Sequence, residues 1–216
     1  MLAAGAHVSA CDLSSAVEAN YQNFGDKPNY FICQADVRAL PFAPHSFDFV
    51  MCLGVIQHTP SSEQTISALA QFIKPGGMLV IDHYAPDYPT TFSRRWLRRL
   101  LLRLPPASSS RLALSLTRML LPLHKLGWNQ KRGRWRLRRQ LQKFSPVVDY
   151  YDVYPQLGEK TLAEWALLDT HDVLTDYYKR LRTGPQLRST LERLGATAIW
   201  VNKGGNGIEV RCQRPA

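Results

Sequence analysis

No apolar run in the 216-residue sequence approaches the roughly 18 residues that a membrane-spanning helix requires. The first twelve residues, MLAAGAHVSACD, have neither the basic start nor the apolar centre of a signal peptide. Cysteine is scarce: Cys11, Cys33, Cys52 and Cys212 form no CxxC pair, which argues against a disulfide framework or a zinc knuckle. All four fall on or beside predicted strands, where a free thiol behaves as a small hydrophobe. A reduced, cytoplasmic setting fits this usage. Acid is missing altogether between Arg94 and Lys143, a stretch with 15 bases. The rest of the chain holds 12 bases against 17 acids, so a mildly acidic body carries a strongly basic insert.

At this length one full core with an insertion is expected. The sequence divides into 1–85, an α/β body; 86–160, a basic helical insert or lid; and 161–216, the return to the body. Tyr30 to Tyr84 sets the architecture. Phe31 to Cys33 is a short strand, and Phe47 to Ile56 is a near-continuous apolar run suited to a strand buried on both faces. Ser61 with Gln64 opens a helix, and Ile66, Leu69, Ala70 and Ile73 form its apolar stripe. Lys74-Pro75-Gly76-Gly77 stops that helix, and Met78 to Ile81 forms the next strand. Upstream, His7 to Cys11 is a strand ending at Asp12, with Ser14 or Ser15 opening a helix. Downstream, Gly184 to Leu194 is a helix, and Ala196 to Val201 with Ile208 to Cys212 forms an antiparallel hairpin. Such units predict a Rossmann-like, doubly wound, mostly parallel sheet with ligand groups past the strand ends.

ADVRALPF, SFDFVMCLGVIQHTP and FIKPGGMLVI, in that order, resemble the class I S-adenosylmethionine (SAM)-dependent methyltransferases of the small-molecule type. The resemblance covers about residues 5 to 84, and more loosely Trp165 to the end. It implies SAM as cofactor, with Asp12 accepting the ribose hydroxyls beside Leu13. It also implies Asp36 at the adenine amino group, Val37 along the ring and the Leu53 carbonyl toward the SAM amino group. The family's first strand and GxGxG turn are missing from the start, so the resemblance implies an N-terminal truncation and a sheet lacking its first strand. A chain so truncated is expected to bind SAM weakly or not at all. Each aspartate also has a plain alternative, as a helix N-cap (Asp12) or a turn residue (Asp36).

His58 stands on the loop past the Phe47 strand, where an imidazole could deprotonate an acceptor. Methyl transfer from a sulfonium can also proceed by positioning alone, which leaves loop packing open for His58. His83 and Tyr84 end the next strand on the same side. EWALLDTHDVL resembles a segment beside the family's acceptor pocket, which brings Asp169 and His171 forward as substrate contacts. The acceptor is then a small or lipophilic metabolite, methylated on oxygen, nitrogen or carbon. In the insert, Leu97, Leu100, Leu101 and Leu104 read as one helical face with Arg95, Arg99 and Arg103 largely opposite. Pro105, Pro106 and Ser108 to Ser110 read as breakers, and Pro122 as a kink or an end. The insert reads as a lid, as a contact for an anionic membrane surface through 94–143, or as an RNA patch, with the leucines favouring membrane over nucleic acid. An RNA methyltransferase or RNA-binding module, and an inactive membrane-surface scaffold, are the rival functions.

Overall fold

The computed structural model describes residues 1–88, 90–128, 135–204 and 207–216. The chain forms two compact units, residues 1–88 with 178–216, and residues 89–177. The boundary expected at 160 therefore falls at 177, because the helix around Trp165 belongs to the second unit.

In the first unit a 3-10 turn, Leu2–Ala4, ends at left-handed Gly5. Strand β1 (Val8–Asp12) pairs in parallel with β2 (Tyr30–Gln34), with helix α1 (Ala16–Phe24) between them in sequence. The second sheet runs β3-β4-β6-β5. Strand β3 (Phe47–Cys52) is parallel to β4 (Ile73–His83), and helix α2 (Ser62–Ala70) connects them. Helix α7 (Gly184–Arg193) precedes β5 (Thr197–Gly204) and β6 (Gly207–Gln213), the expected antiparallel hairpin. Strand β6 pairs antiparallel with β4. Among the described residues β1 pairs only with β2, and β3 only with β4.

The core of this unit joins Ile66 and Leu69 of α2, Leu79 and Ile81 of β4, Leu187 and Leu191 of α7, and Ile208 and Val210 of β6. Ser61 caps α2 as its sequence requires, accepting the Gln64 N–H at 3.3 Å. Two details depart from the sequence reading. Helix α2 stops at Ala70, and buried Ile73 already belongs to β4, paired with Phe47. The register then shifts, so Lys74 to Gly77 forms an irregularity inside the strand. Strand β3 is also not buried on both faces. Phe49 and Met51 are exposed on this strand, which lies at the edge of its sheet.

The second unit is helical: α3 (Phe92–Leu101), α4 (Pro106–Trp128), α5 (Trp135–Phe144) and α6 (Gly158–Thr175), with α6 packed on α3 and α4. Ser108 to Ser110 do not break a helix. They lie within the first five residues of α4. Pro122 does not end α4 either, which runs through it to Trp128. Of the third basic segment, Lys131, Arg132 and Arg134 lie outside the described residues. Among the described residues no helix is long and apolar enough to cross a membrane.

Candidate active site

The C-terminal ends of β1 to β4 hold most of the residues that the sequence singles out. At the end of β1, Asp12 is exposed, and one carboxylate oxygen accepts both the N–H and the hydroxyl of Ser14, at 2.8 and 2.7 Å. The other oxygen has no partner among the described residues. Leu13 is exposed, and its carbonyl accepts the Gln34 side-chain amide at 2.9 Å, which ties the β1 and β2 ends together.

Past β2, Asp36 turns back on Arg38. Its oxygens accept the Arg38 backbone N–H at 2.9 Å and the guanidinium at 2.6 to 3.2 Å. The Arg38 hydrogen bonds hold its carboxyl below the usual range. A carboxylate offers about four acceptor positions, so further bonds to Asp36 compete with Arg38 or share with it. Val37 is half-buried against the core.

Past β3 the chain turns at Gly54, whose φ of +73° suits glycine. The Gly54 N–H donates to Asp82 at 2.6 Å, so a buried carboxylate on β4 fixes the loop that carries Leu53. Leu53 itself is exposed. Burial pushes the Cys52 thiol up to about 12, with Asp82 and Cys11 adding to the shift, so this thiol is no nucleophile.

A 3-10 turn, Ile56–His58, follows. The half-buried ring of His58 packs edge-on against Tyr84, with centroids 5.3 Å apart. His83 requires a correction. It is fully buried, one ring nitrogen faces the Tyr84 carbonyl at 3.0 Å, and the other meets the Ser62 hydroxyl at 2.9 Å. Burial lowers its pKa and favours the neutral ring. His83 therefore ties the end of β4 to the start of α2 and cannot reach an acceptor as base.

Residues 179 to 182, which the sequence reading passed over, close the same end of this unit. The Arg180 N–H donates to the Gln57 carbonyl at 2.8 Å, and the Arg182 N–H to the Tyr84 carbonyl at 3.0 Å. The Arg182 guanidinium grips Glu63 at 2.6 and 3.0 Å, and its hydrogen bonds hold that carboxyl at about 2. The Lys179 ammonium lies over the rings of Tyr88 and Tyr84, 4.6 and 5.6 Å from their centroids. Gln57 is fully buried, yet among the described residues neither atom of its amide has a hydrogen-bond partner, and the neighbouring Arg180 Nε also lacks one. Buried polar groups left unbonded cost about 1–3 kcal/mol each, a cost that ligand-binding sites commonly carry. Asp82 and Gln57 had a signal in the sequence, as the first polar residues after the apolar runs LVI and VI. Lys179 and Arg180 had none.

Asp169 and His171 lie on α6 in the second unit, apart in sequence from the strand ends. Asp169 accepts the Tyr150 hydroxyl, and His171 meets Ser110 at 3.0 Å and Thr175 at 3.3 Å. All these bonds are internal to that unit and fasten α6 to α4 and to the segment before it.

Residues 1–81 match the family model described as a methyltransferase domain. Over 83 residues the chain is 35% identical to a ubiquinone biosynthesis O-methyltransferase of Aromatoleum aromaticum, which covers 37% of this chain and 35% of that protein. It is 34% identical over 89 residues to phosphoethanolamine N-methyltransferase 2 of Caenorhabditis elegans, covering 39% of this chain and 20% of that one. The matched stretch thus spans about a third or less of these relatives' length. A crystal structure described as a possible exported protein from Bordetella parapertussis superposes with a TM-score of 0.50 at 16% identity, over 98% of this chain and 54% of that one. The likeness in that structure is one of fold.

Proposed function

We propose, from the match of residues 1–81 to a methyltransferase-domain family model, that the strand ends of this chain bind the nucleoside half of SAM for methyl transfer to a small or lipophilic acceptor. The observation that carries this reading is that acceptor groups stand at or just past the C-terminal ends of three strands, each paired in parallel. The open oxygen of Asp12 follows β1, the Asp36 carboxylate follows β2 and the exposed Leu53–Gly54 turn follows β3. Ribose hydroxyls and an adenine amino group are donors, so carboxylates at the first two positions suit them.

These residues fit the nucleoside. Asp12 keeps one oxygen free of bonds among the described residues, and Val37 supplies an apolar flank. SAM brings an electrophilic sulfonium methyl, and the chain's task is to orient an acceptor against it. His58 and Tyr84 border that space. Oxygen, nitrogen and carbon acceptors are all compatible with these groups.

The test is equilibrium binding of S-adenosylhomocysteine to the full chain and two variants. Asp12→Ala weakens binding at least about tenfold, since a charged acceptor of two hydrogen bonds is lost. Asp36→Ala weakens it less, because Arg38 already occupies much of that carboxylate. Equal affinity in all three proteins would overturn the assignment.

A further inference from the structure

The solvent face of α3 carries a pattern that the fold of the second unit does not use. Phe92, Trp96, Leu100 and Leu104 follow one another at four-residue spacing and are 74, 53, 39 and 41% exposed. Arg95 and Arg99 lie beside Phe92 and Trp96, while Arg103 and Leu104 lie in the turn past the end of α3; all three arginines are exposed, and none has an acidic partner among the described residues. The inner face is built from other residues. Leu101 is buried with Leu97 packed beside it. Arg94 and Arg98 turn inward as well, where Arg94 donates to the Pro146 and Val147 carbonyls and Arg98 to that of Asp176. The sequence reading placed Leu97, Leu100, Leu101 and Leu104 on one face. In the structure Leu101 is buried and Leu97 half-buried, whereas Leu100 and Leu104 are exposed. Helix α4 repeats the arrangement, with Leu112, Met119, Leu123 and Leu126 exposed beside Arg111 and Arg118.

Three kinds of surface could follow. A merely solvated face has no use for an exposed Trp and Phe in register with leucines. An RNA surface needs several aromatic stacking faces, and here aliphatic side chains dominate. A lipid interface suits every component: aromatic rings at headgroup depth, leucines at the acyl boundary, and arginines whose stems lie along apolar surface while their heads meet phosphate. The lack of any acid from Arg94 to Lys143 selects an anionic surface.

We propose that this face of the second unit docks on an anionic lipid surface, with α3 lying in the plane of the interface. Phe92, Trp96 and Leu100 enter the acyl boundary, and Arg95, Arg99 and Arg103 bind headgroup phosphates. The inference does not depend on SAM binding, so the two fail separately.

Flotation of the full chain with lipid vesicles tests it. The chain binds vesicles of mixed phosphatidylglycerol and phosphatidylcholine at physiological ionic strength, and leaves pure phosphatidylcholine vesicles unbound. Changing Arg95, Arg99 and Arg103 together to Gln weakens binding by roughly 100-fold. Trp96→Ala with Leu100→Ala weakens it at least about tenfold at unchanged charge. All five positions are exposed, so circular dichroism of these variants stays that of the parent. Equal binding to neutral and anionic vesicles, or anionic binding that survives both sets of changes, would overturn the proposal. So would a single-stranded RNA that displaces the vesicles and still binds the Trp96 and Leu100 variant, which would make the face a nucleic-acid surface.

Discussion

Replacing Asp149 with alanine lowers the stability of the chain by about 3–5 kcal/mol, the usual cost of removing one partner from a buried charge pair. Asp149 is almost wholly buried between α4 and α5. His124 Nδ1 donates to it at 2.5 Å, and both terminal nitrogens of the Arg138 guanidinium donate to its two oxygens. His124 is fully buried and also meets the Ser145 hydroxyl at 2.8 Å. Without the carboxylate, Arg138 becomes an uncompensated buried cation. Asp152, which Arg138 also reaches at 2.9 Å, is about half exposed and replaces little of the loss.

The same carboxylate gives a dependence on pH. Burial alone would raise its pKa, but the bonds from His124 and Arg138 outweigh that and hold it at about 2. A carboxyl depressed in the folded state contributes stability above its unfolded pKa of about 4, and that contribution is lost as pH falls toward about 2. The difference amounts to about 2.5 kcal/mol. Urea titrations at stepped pH should show this loss in the parent chain. In Asp149→Asn the acid-dependent segment disappears, and its persistence there would assign the titration to another group.

Asp82→Ala has the next largest effect, a loss of about 1.5–3 kcal/mol, as expected for a buried hydrogen bond to a charged acceptor. The Gly54 N–H then faces no acceptor, and the loop carrying Leu53 loses its anchor. Glu209 lies opposite on β6, but Arg211 holds it at 2.6 Å, so relief of repulsion offsets the loss only in part. Asp82→Asn keeps a carbonyl in place and costs under about 1 kcal/mol. Urea midpoints for the two variants check the order. If alanine costs no more than asparagine, the Gly54 bond is not what the carboxylate is for.

Much of the first unit was legible in the sequence because its signals are local. The apolar runs mark the strands, and Ser61 marks the start of α2. Asp12 and Asp36 lie at strand ends because strands end there. The misses share a physical cause, which is tertiary contact overriding a local pattern. Ile73 continues the stripe of α2 by spacing, yet pairing with Phe47 draws it into β4. His83 sits at a strand end like Tyr84, but the partner that buries it, Ser62, is 21 residues away in sequence. Helix α3 shows Leu and Arg at spacings that permit more than one rotation. The carbonyls that Arg94 and Arg98 meet, at Pro146, Val147 and Asp176, are distant in sequence. Nothing local marks Lys179 or Arg180, which reach the site through the return of the chain from the second unit.

The central claim is that nucleoside recognition resides at the ends of β1, β2 and β3, and amide chemical-shift mapping with SAM tests it most directly. The account predicts weak, fast-exchange binding that shifts the amides of Leu13, Val37, Leu53 and Gly54, and shifts that shrink in Asp12→Ala. Shifts confined to other residues, or a response unchanged by loss of Asp12, would contradict it.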